Sequence, residues 1–309
     1  MATYRILSLD GGGIRGLLTT VLLDRLAQEV PGWLDQVNLI SGTSTGGIIA
    51  LGLADGLSPA DLQDLYYAHG HEIFDDSWQD DLIDLCGLRG ADYDNTFLRR
   101  ELVRLFEDRV LGDLQNRVLI PAFDLDNEKA DPAKRSWAPK FFHNFDGSDS
   151  DSGRRIVDVA LYTSAAPTYF PSVDGYIDGG VFANNPSMSA LAQTQDPRAD
   201  IDPRPSLGEV VLLSLGTGTT LYRIAGQRHD WGFGQWIKPL IDIMLDGGMG
   251  VAHYQCEQLL RERYHRLAPT FAPNQAIRLD DWRRRDDLVR VAEQTPIEDT
   301  VQWLAEHWI

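Results

Sequence analysis

The chain has 309 residues, 43% hydrophobic and 24% charged, which suits a large folded core and excludes disorder as the default. Lys and Arg number 28 against 46 Asp and Glu, a net charge of −18 that repels nucleic acid and strongly anionic membranes and argues against a nucleic-acid partner. Cys86 and Cys256 cannot build a disulfide framework, and neither has a second Cys or a His at metal-ligand spacing, so both read as buried small hydrophobes.

No apolar run reaches the roughly 18 residues of a membrane span. The first ten residues lack the charged, apolar and small-residue order of an export signal. Both features are those expected of a cytoplasmic protein, or of one peripheral to a membrane.

Residues 4–9 read as a first strand and lead into DGGGIRG at residues 10–16. Gly11, Gly13 and Gly16 meet the GxGxxG spacing of a dinucleotide-binding loop. Amides gathered at such a turn hold any anionic oxygen, on a bound phosphate or on a transient tetrahedral intermediate. Leu18, Val21, Leu22 and Leu26 mark one face of a helix over about residues 16–30. A second strand, 37–41, runs into Gly42-Thr43-Ser44-Thr45-Gly46, a GxSxG pattern followed by a helix at 45–53 that is apolar on every side. A sharp strand-to-helix turn exposes a serine hydroxyl above the sheet at a helix N-terminus, making Ser44 a candidate nucleophile. A dinucleotide site needs an acid at the end of this second strand to hold the ribose; the nearest, Asp35, precedes it. Adjacent parallel strands would bring both turns to one sheet edge. The Gly12 and Gly13 amides would then face the oxyanion made when Ser44 attacks a carbonyl, with Arg15 adding positive charge.

Ser58, Pro59 and Asp61 open a further helix as hydroxyl N-cap, first helical residue and first-turn acid. Residues 73–88 and 231–245 mix aromatics with aliphatics near polar residues, which suits an interface with lipid, although such stripes are more often core. Strands are expected at 118–125, 140–145, 175–177 and 209–215, with a loop-like excursion over 124–138 that continues at 146–153. Asp178 closes the short strand 175–177 and begins DGGVFANNP, so its carboxylate is presented by a glycine turn. The same tripeptide at Asp246 follows the helical run Ile237, Leu240, Ile241, Met244, where Gly247 reads as a C-terminal cap. His69 and His71 lie on or near a helix, His253 and His265 fall within a helical pattern, and His229 stands in a charged loop. Ser44, Asp178 and either His229 or His253 would meet the order of a serine triad; Asp178 acting directly as base is the alternative. After Phe271 the pattern returns to helix through Leu288, Val289 and Ala292, then Ile297, Val301, Leu304 and Trp308. The alternation argues an α/β fold with a mainly parallel sheet covered by helices. Without repeat or linker, the economical organisation is one domain over 1–309 with a helical C-terminal cover after about residue 271.

DGGGIRG at 10–16, GTSTG at 42–46, SAAPTYFP at 164–171, DGG at 178–180 and LSLGTG at 213–218 occur in that order. Together they resemble the patatin-like phospholipases. The resemblance implies a three-layer α/β/α domain and a Ser/Asp dyad that hydrolyses acyl esters of phospholipids or galactolipids, with no metal or organic cofactor. Carried over by position, Ser44 is the nucleophile, Asp178 the general base, and Gly12 and Gly13 the oxyanion-hole donors beside Arg15. Gly11, Gly16, Gly42, Gly46, Gly179 and Gly180 fill the remaining motif positions. The implied partner is a lipid met at a membrane or micelle surface; the motifs leave the oligomeric state open. Competing readings are a soluble carboxylesterase or acyltransferase acting on non-lipid esters and a dinucleotide-binding module. An ordinary Asp titrates at about 3.9, a poor match for a base at neutral pH, so the dyad needs dry surroundings that raise it.

Overall fold

The structure is a computed structural model that describes residues 3–73, 93–220, 224, 230–272 and 276–309. Expectations placed on residues 74–88, Cys86 and His229 lie outside the described residues, as do the side chains of Phe233, Ile237 and Ile241. In chain order the main elements are β1 (Tyr4–Leu9), α1 (Gly16–Glu29), β2 (Leu39–Gly42), α2 (Thr45–Ala54), α3 (Pro59–Ile73) and α4 (Thr96–Phe106). They continue as β3 (Arg117–Asp124), β4 (Ala138–His143), α5 (Ile156–Ser164), β5 (Tyr176–Asp178), α6 (Gly180–Ala183) and α7 (Ser187–Gln193). The last are β6 (Val210–Leu215), α8 (Phe233–Leu260), β7 (Tyr264–Leu267), α9 (Arg285–Gln294) and α10 (Glu298–Trp303).

The sheet runs β7-β6-β1-β2-β3-β4. Its first five strands are mutually parallel, and β4 is antiparallel to β3. Strand alternation sorts the core into two sides. Leu7, Leu9, Ile40, Val118, Ile120 and Leu213 face the layer that holds α1 to α5, α9 and α10. Ile6, Leu39, Leu119 and Leu212 meet Ala190 and Leu191 of α7 and Cys256 and Leu260 of α8. The fold is therefore the expected α/β/α sandwich. All ten residues of α2 are buried, as a helix without a polar face requires. At the head of α3, the Ser58 amide and hydroxyl donate to Asp61 at 2.9 and 2.6 Å, and the Asp61 amide donates back to Ser58 Oγ at 3.2 Å, a reciprocal cap. The C-terminal helices cover α1: Leu288, Ala292, Leu304 and Trp308 enter the larger core, and Arg25 donates to the carbonyls of Ala292 and Thr295 at 2.5 and 2.8 Å.

One strand arrangement places the site. β4 occupies one edge of β3 over residues 119–124, so β2 and β5 share the other edge. β2 pairs there with 117–119 and β5, antiparallel, with 122–124. The two strands meet head to head, with Asp178 opposite Ala122. Extending the β2 register from Ser41↔Leu119 by three residues brings Ser44 to the same row.

Three expectations are corrected. His265 lies on the edge strand β7 rather than a helix, because Tyr264 to Leu267 pair in parallel with Leu212 to Leu215. Gly247 is no helix cap: α8 continues from Phe233 through Leu260. Met249, Ala252, Cys256 and Leu260 are buried along one stripe, and that packing outweighs the roughly 1 kcal/mol each interior glycine costs. The same geometry leaves the opposite face bare. Leu240, Ile243 and Met244 are 46, 46 and 50% exposed, so this part of 231–245 is not core.

Candidate active site

Ser44 caps α2 with φ 55° and ψ −125°, a backbone region that side chains other than glycine rarely adopt and that persists only when neighbours hold it. Crowding explains both flanking glycines. A Cβ on Gly42 would fall on the Gly46 carbonyl, and one on Gly46 would strike the Leu9 and Asp10 carbonyls. The Ser44 amide donates to Thr163 Oγ1 at 2.9 Å, and Thr43 Oγ1 donates to the Ala183 carbonyl at 2.6 Å, tying this turn to the end of α6.

Asp178 is 4% exposed. Its amide donates to the Ala165 carbonyl at 2.9 Å. Its carboxylate accepts from the Gly180 amide at 2.6 Å and from the Ser44 hydroxyl. Burial pushes the carboxyl from its ordinary 3.8 up to about 7, against the pull of those two hydrogen bonds. The dry surroundings that a carboxylate base needs are thus present. Gly179 sits against the Pro121 carbonyl of β3, which seats the DGG turn on the strand beneath it. Among the described residues no histidine hydrogen-bonds Ser44 or Asp178: His253 meets Tyr264, and His265 meets Thr300.

The glycine loop lies beside this pair. An added Cβ on Gly11 would come 3.2 Å from Ser44 Cβ. The Asp10, Gly11 and Ile14 amides donate to the carbonyls of Leu215, Asn184 and Leu279 at 3.0, 2.9 and 2.8 Å, and Arg15 donates to Gly12 at 3.1 Å. Thr217 Oγ1 fixes the Gly11 carbonyl at 2.8 Å. The Gly12 and Gly13 amides, in contrast, donate to no acceptor among the described residues. Gly13 has φ 56°, and a side chain there would strike the Leu279 carbonyl. Gly16 packs against Thr45 Oγ1 at the start of α2. Arg15 donates to the Gly218 carbonyl at 3.2 Å, so its guanidinium braces the loop against the turn after β6.

Beneath the loop, fully buried Asp10 accepts from Arg266 of β7 at 3.2 and 2.5 Å, and Arg266 also donates to Ser214 Oγ at 2.6 Å. This pair ties the end of β1 to the sheet edge across β6. Thr163, Asn184, Thr217 and Arg266 all hold the site in place, and none was singled out from the sequence. Thr217 and Asn184 do lie within the LSLGTG and DGGVFANNP runs, which is the one signal that could have found them. Among the described residues no group of three or more His, Cys, Asp or Glu side chains could hold a metal, and no helix is long and apolar enough to cross a membrane.

A hydroxyl on a strained turn, a buried carboxylate facing it and two nearby amides without an acceptor among the described residues are brought together on an α/β/α fold. Residues 7–191 match the model of the patatin-like phospholipase family, and the chain belongs to that family. It is 31% identical over 294 residues to a cGAMP-activated phospholipase of Pseudomonas aeruginosa, covering 89% of this chain and 80% of that one. It is 35% identical over 261 residues to a protein of the same description from Escherichia coli, covering 75% and 69%. VipD of Legionella pneumophila aligns in structure over 99% of this chain and 67% of its own, with 12% identity and a TM-score of 0.47. The family and its phospholipase members support lipid hydrolysis as the activity.

Proposed function

We propose that the chain cleaves carboxylic ester bonds of membrane lipids through Ser44 and Asp178. The observation that carries this reading is a buried Asp178 facing the Ser44 hydroxyl, with its carboxyl pushed up to about 7 by burial. Asp178 takes the Ser44 proton as Oγ attacks the acyl carbon. The resulting oxyanion is met by the Gly12 and Gly13 amides of the neighbouring loop, which donate to no acceptor among the described residues. Return of the proton to the leaving alcohol releases the lyso-lipid. Water, deprotonated by the same carboxylate, then frees the fatty acid and restores Ser44. The Ser44 amide is engaged by Thr163 and is not available to the oxyanion.

Long acyl chains need an apolar approach. Leu245 of α8 lies close to Gly180, 3.2 Å from where its Cβ would stand, and the exposed Leu240, Ile243 and Met244 precede it on the same helix. The exposed side chains, on the outer face of that helix, offer a contact with a bilayer or micelle. The test compares Ser44→Ala and Asp178→Asn with wild type on phosphatidylcholine vesicles and on a short soluble ester. Both variants should lose turnover on both substrates while remaining folded; wild-type turnover in either folded variant would refute the assignment.

A further inference from the structure

We propose that Thr163 is the positioning residue that sets the geometry between Ser44 and Asp178, an inference that rests on reading those two as the reacting pair. Thr163 is the penultimate residue of α5 and is fully buried. Its single hydroxyl proton goes to the Pro121 carbonyl at 2.6 Å, so the oxygen can only accept from the Ser44 amide, at 2.9 Å. Pro121 precedes Ala122, the residue paired with Asp178, and its carbonyl supports Gly179. Two residues beyond Thr163, the Ala165 carbonyl takes the Asp178 amide at 2.9 Å. The nucleophile turn and the carboxylate strand therefore hang from one three-residue segment, 163–165.

The arrangement answers a physical need. Ser44 holds φ 55° and ψ −125°, a conformation that costs about 1–3 kcal/mol and relaxes unless the surroundings over-determine it. On the helix side Thr45 donates its hydroxyl to Tyr66 at 2.6 Å and Gly46 and Gly47 carry no side chain, so none of the three holds the Ser44 amide. The Thr163 hydroxyl supplies it through the Ser44 backbone, while its methyl carbon packs at Gly47. Removing the hydroxyl leaves a buried N–H and a buried C=O without partners. The turn then relaxes, and the Ser44 hydroxyl moves out of line with Asp178, without any change in the surface that receives substrate.

The experiment compares Thr163→Val, Thr163→Ala, Thr163→Ser and Ser44→Ala in the full chain, using a short-chain p-nitrophenyl ester and a fluorophosphonate probe. Assays run well below each variant's melting temperature, with folding checked by circular dichroism. Val and Ala should lower kcat by roughly 10- to 100-fold, the scale of an ångström-size misplacement. KM should stay within about twofold, and the fluorophosphonate labelling rate should fall in parallel with kcat. Ser, which restores the hydroxyl, should keep kcat within about threefold. Wild-type kcat in folded Val or Ala alongside an inactive Ser44→Ala would overturn the proposal and leave the dyad standing. Ser as slow as Ala would also overturn it, since lost packing at Gly47 would then be the cause. If Val does not fold, the Ala-to-Ser comparison decides alone. Turnover surviving in Ser44→Ala would instead sink the dyad reading beneath it.

Discussion

Asp178→Asn should abolish activity and, above neutral pH, make the protein more stable. Burial raises the carboxyl from 3.8 to about 7, so between these values the native state keeps a proton that the unfolded chain has released. The native state binds more protons, and stability therefore falls as pH rises through this window, then levels off above 7. At 1.36 kcal/mol per pH unit, the whole window corresponds to about 4 kcal/mol, and the part between pH 5 and 7 to about 3 kcal/mol. Asparagine has nearly the same shape, can accept from the Gly180 amide and the Ser44 hydroxyl, and does not titrate. Urea unfolding of both proteins at pH 5, 6, 7 and 8 isolates this one group, because all other titrations cancel in the difference. The variant should gain about 3 kcal/mol on wild type between pH 5 and 8. Parallel stability curves over that range would refute the argument that burial holds Asp178 protonated.

With Asp178 as the proposed base, kcat/KM on a soluble ester should fall about tenfold per pH unit below roughly pH 7, following a single ionisation, and a rate that stays flat down to pH 5 would contradict this. Arg266→Met should destabilise the fold by about 3–5 kcal/mol by leaving Asp10 as an unpaired buried charge. Adding Asp10→Asn should recover much of that loss in the denaturation midpoint; no recovery would mean the pair acts independently. On vesicles at low salt, the net charge of −18 should make anionic lipid a poorer substrate than zwitterionic lipid, with a gap that narrows as salt rises, and Ile243→Glu should slow vesicle hydrolysis while sparing a monomeric ester. Equal rates on both lipids, or an Ile243→Glu protein unimpaired on vesicles, would count against the docking face.

Much of this was legible in the sequence because local signals there agreed with the global fold. β1 falls at the expected residues, α1 and the Ser58 cap stand as the pattern required, and the uniformly apolar run after Ser44 became a fully buried helix. Strand ends moved by one or two residues, since terminal positions are decided by pairing partners. β7 was missed because four residues at a sheet edge carry little periodicity of their own; neighbouring β6 makes them a strand. The helix through Gly247 was missed for a related reason, as packing on α6 and α7 overrides a local stop signal. At the site, the residue types announce the glycine turns and the GxSxG serine. Their supports are tertiary: nothing local distinguishes the Thr163 hydroxyl, which bonds across to the Ser44 turn and to β3, from that of Ser164, which bonds back to Ala160 within its own helix. Arg266 likewise finds Asp10 from 256 residues away.

The reacting pair itself is tested most directly by fluorophosphonate labelling across pH, followed by peptide mass spectrometry. Ser44 should carry the label, at a rate that rises with an apparent ionisation near pH 7 and that collapses in Asp178→Asn. Label on another residue, or undiminished Ser44 labelling in the Asn variant, would contradict a mechanism in which this buried carboxylate activates this hydroxyl.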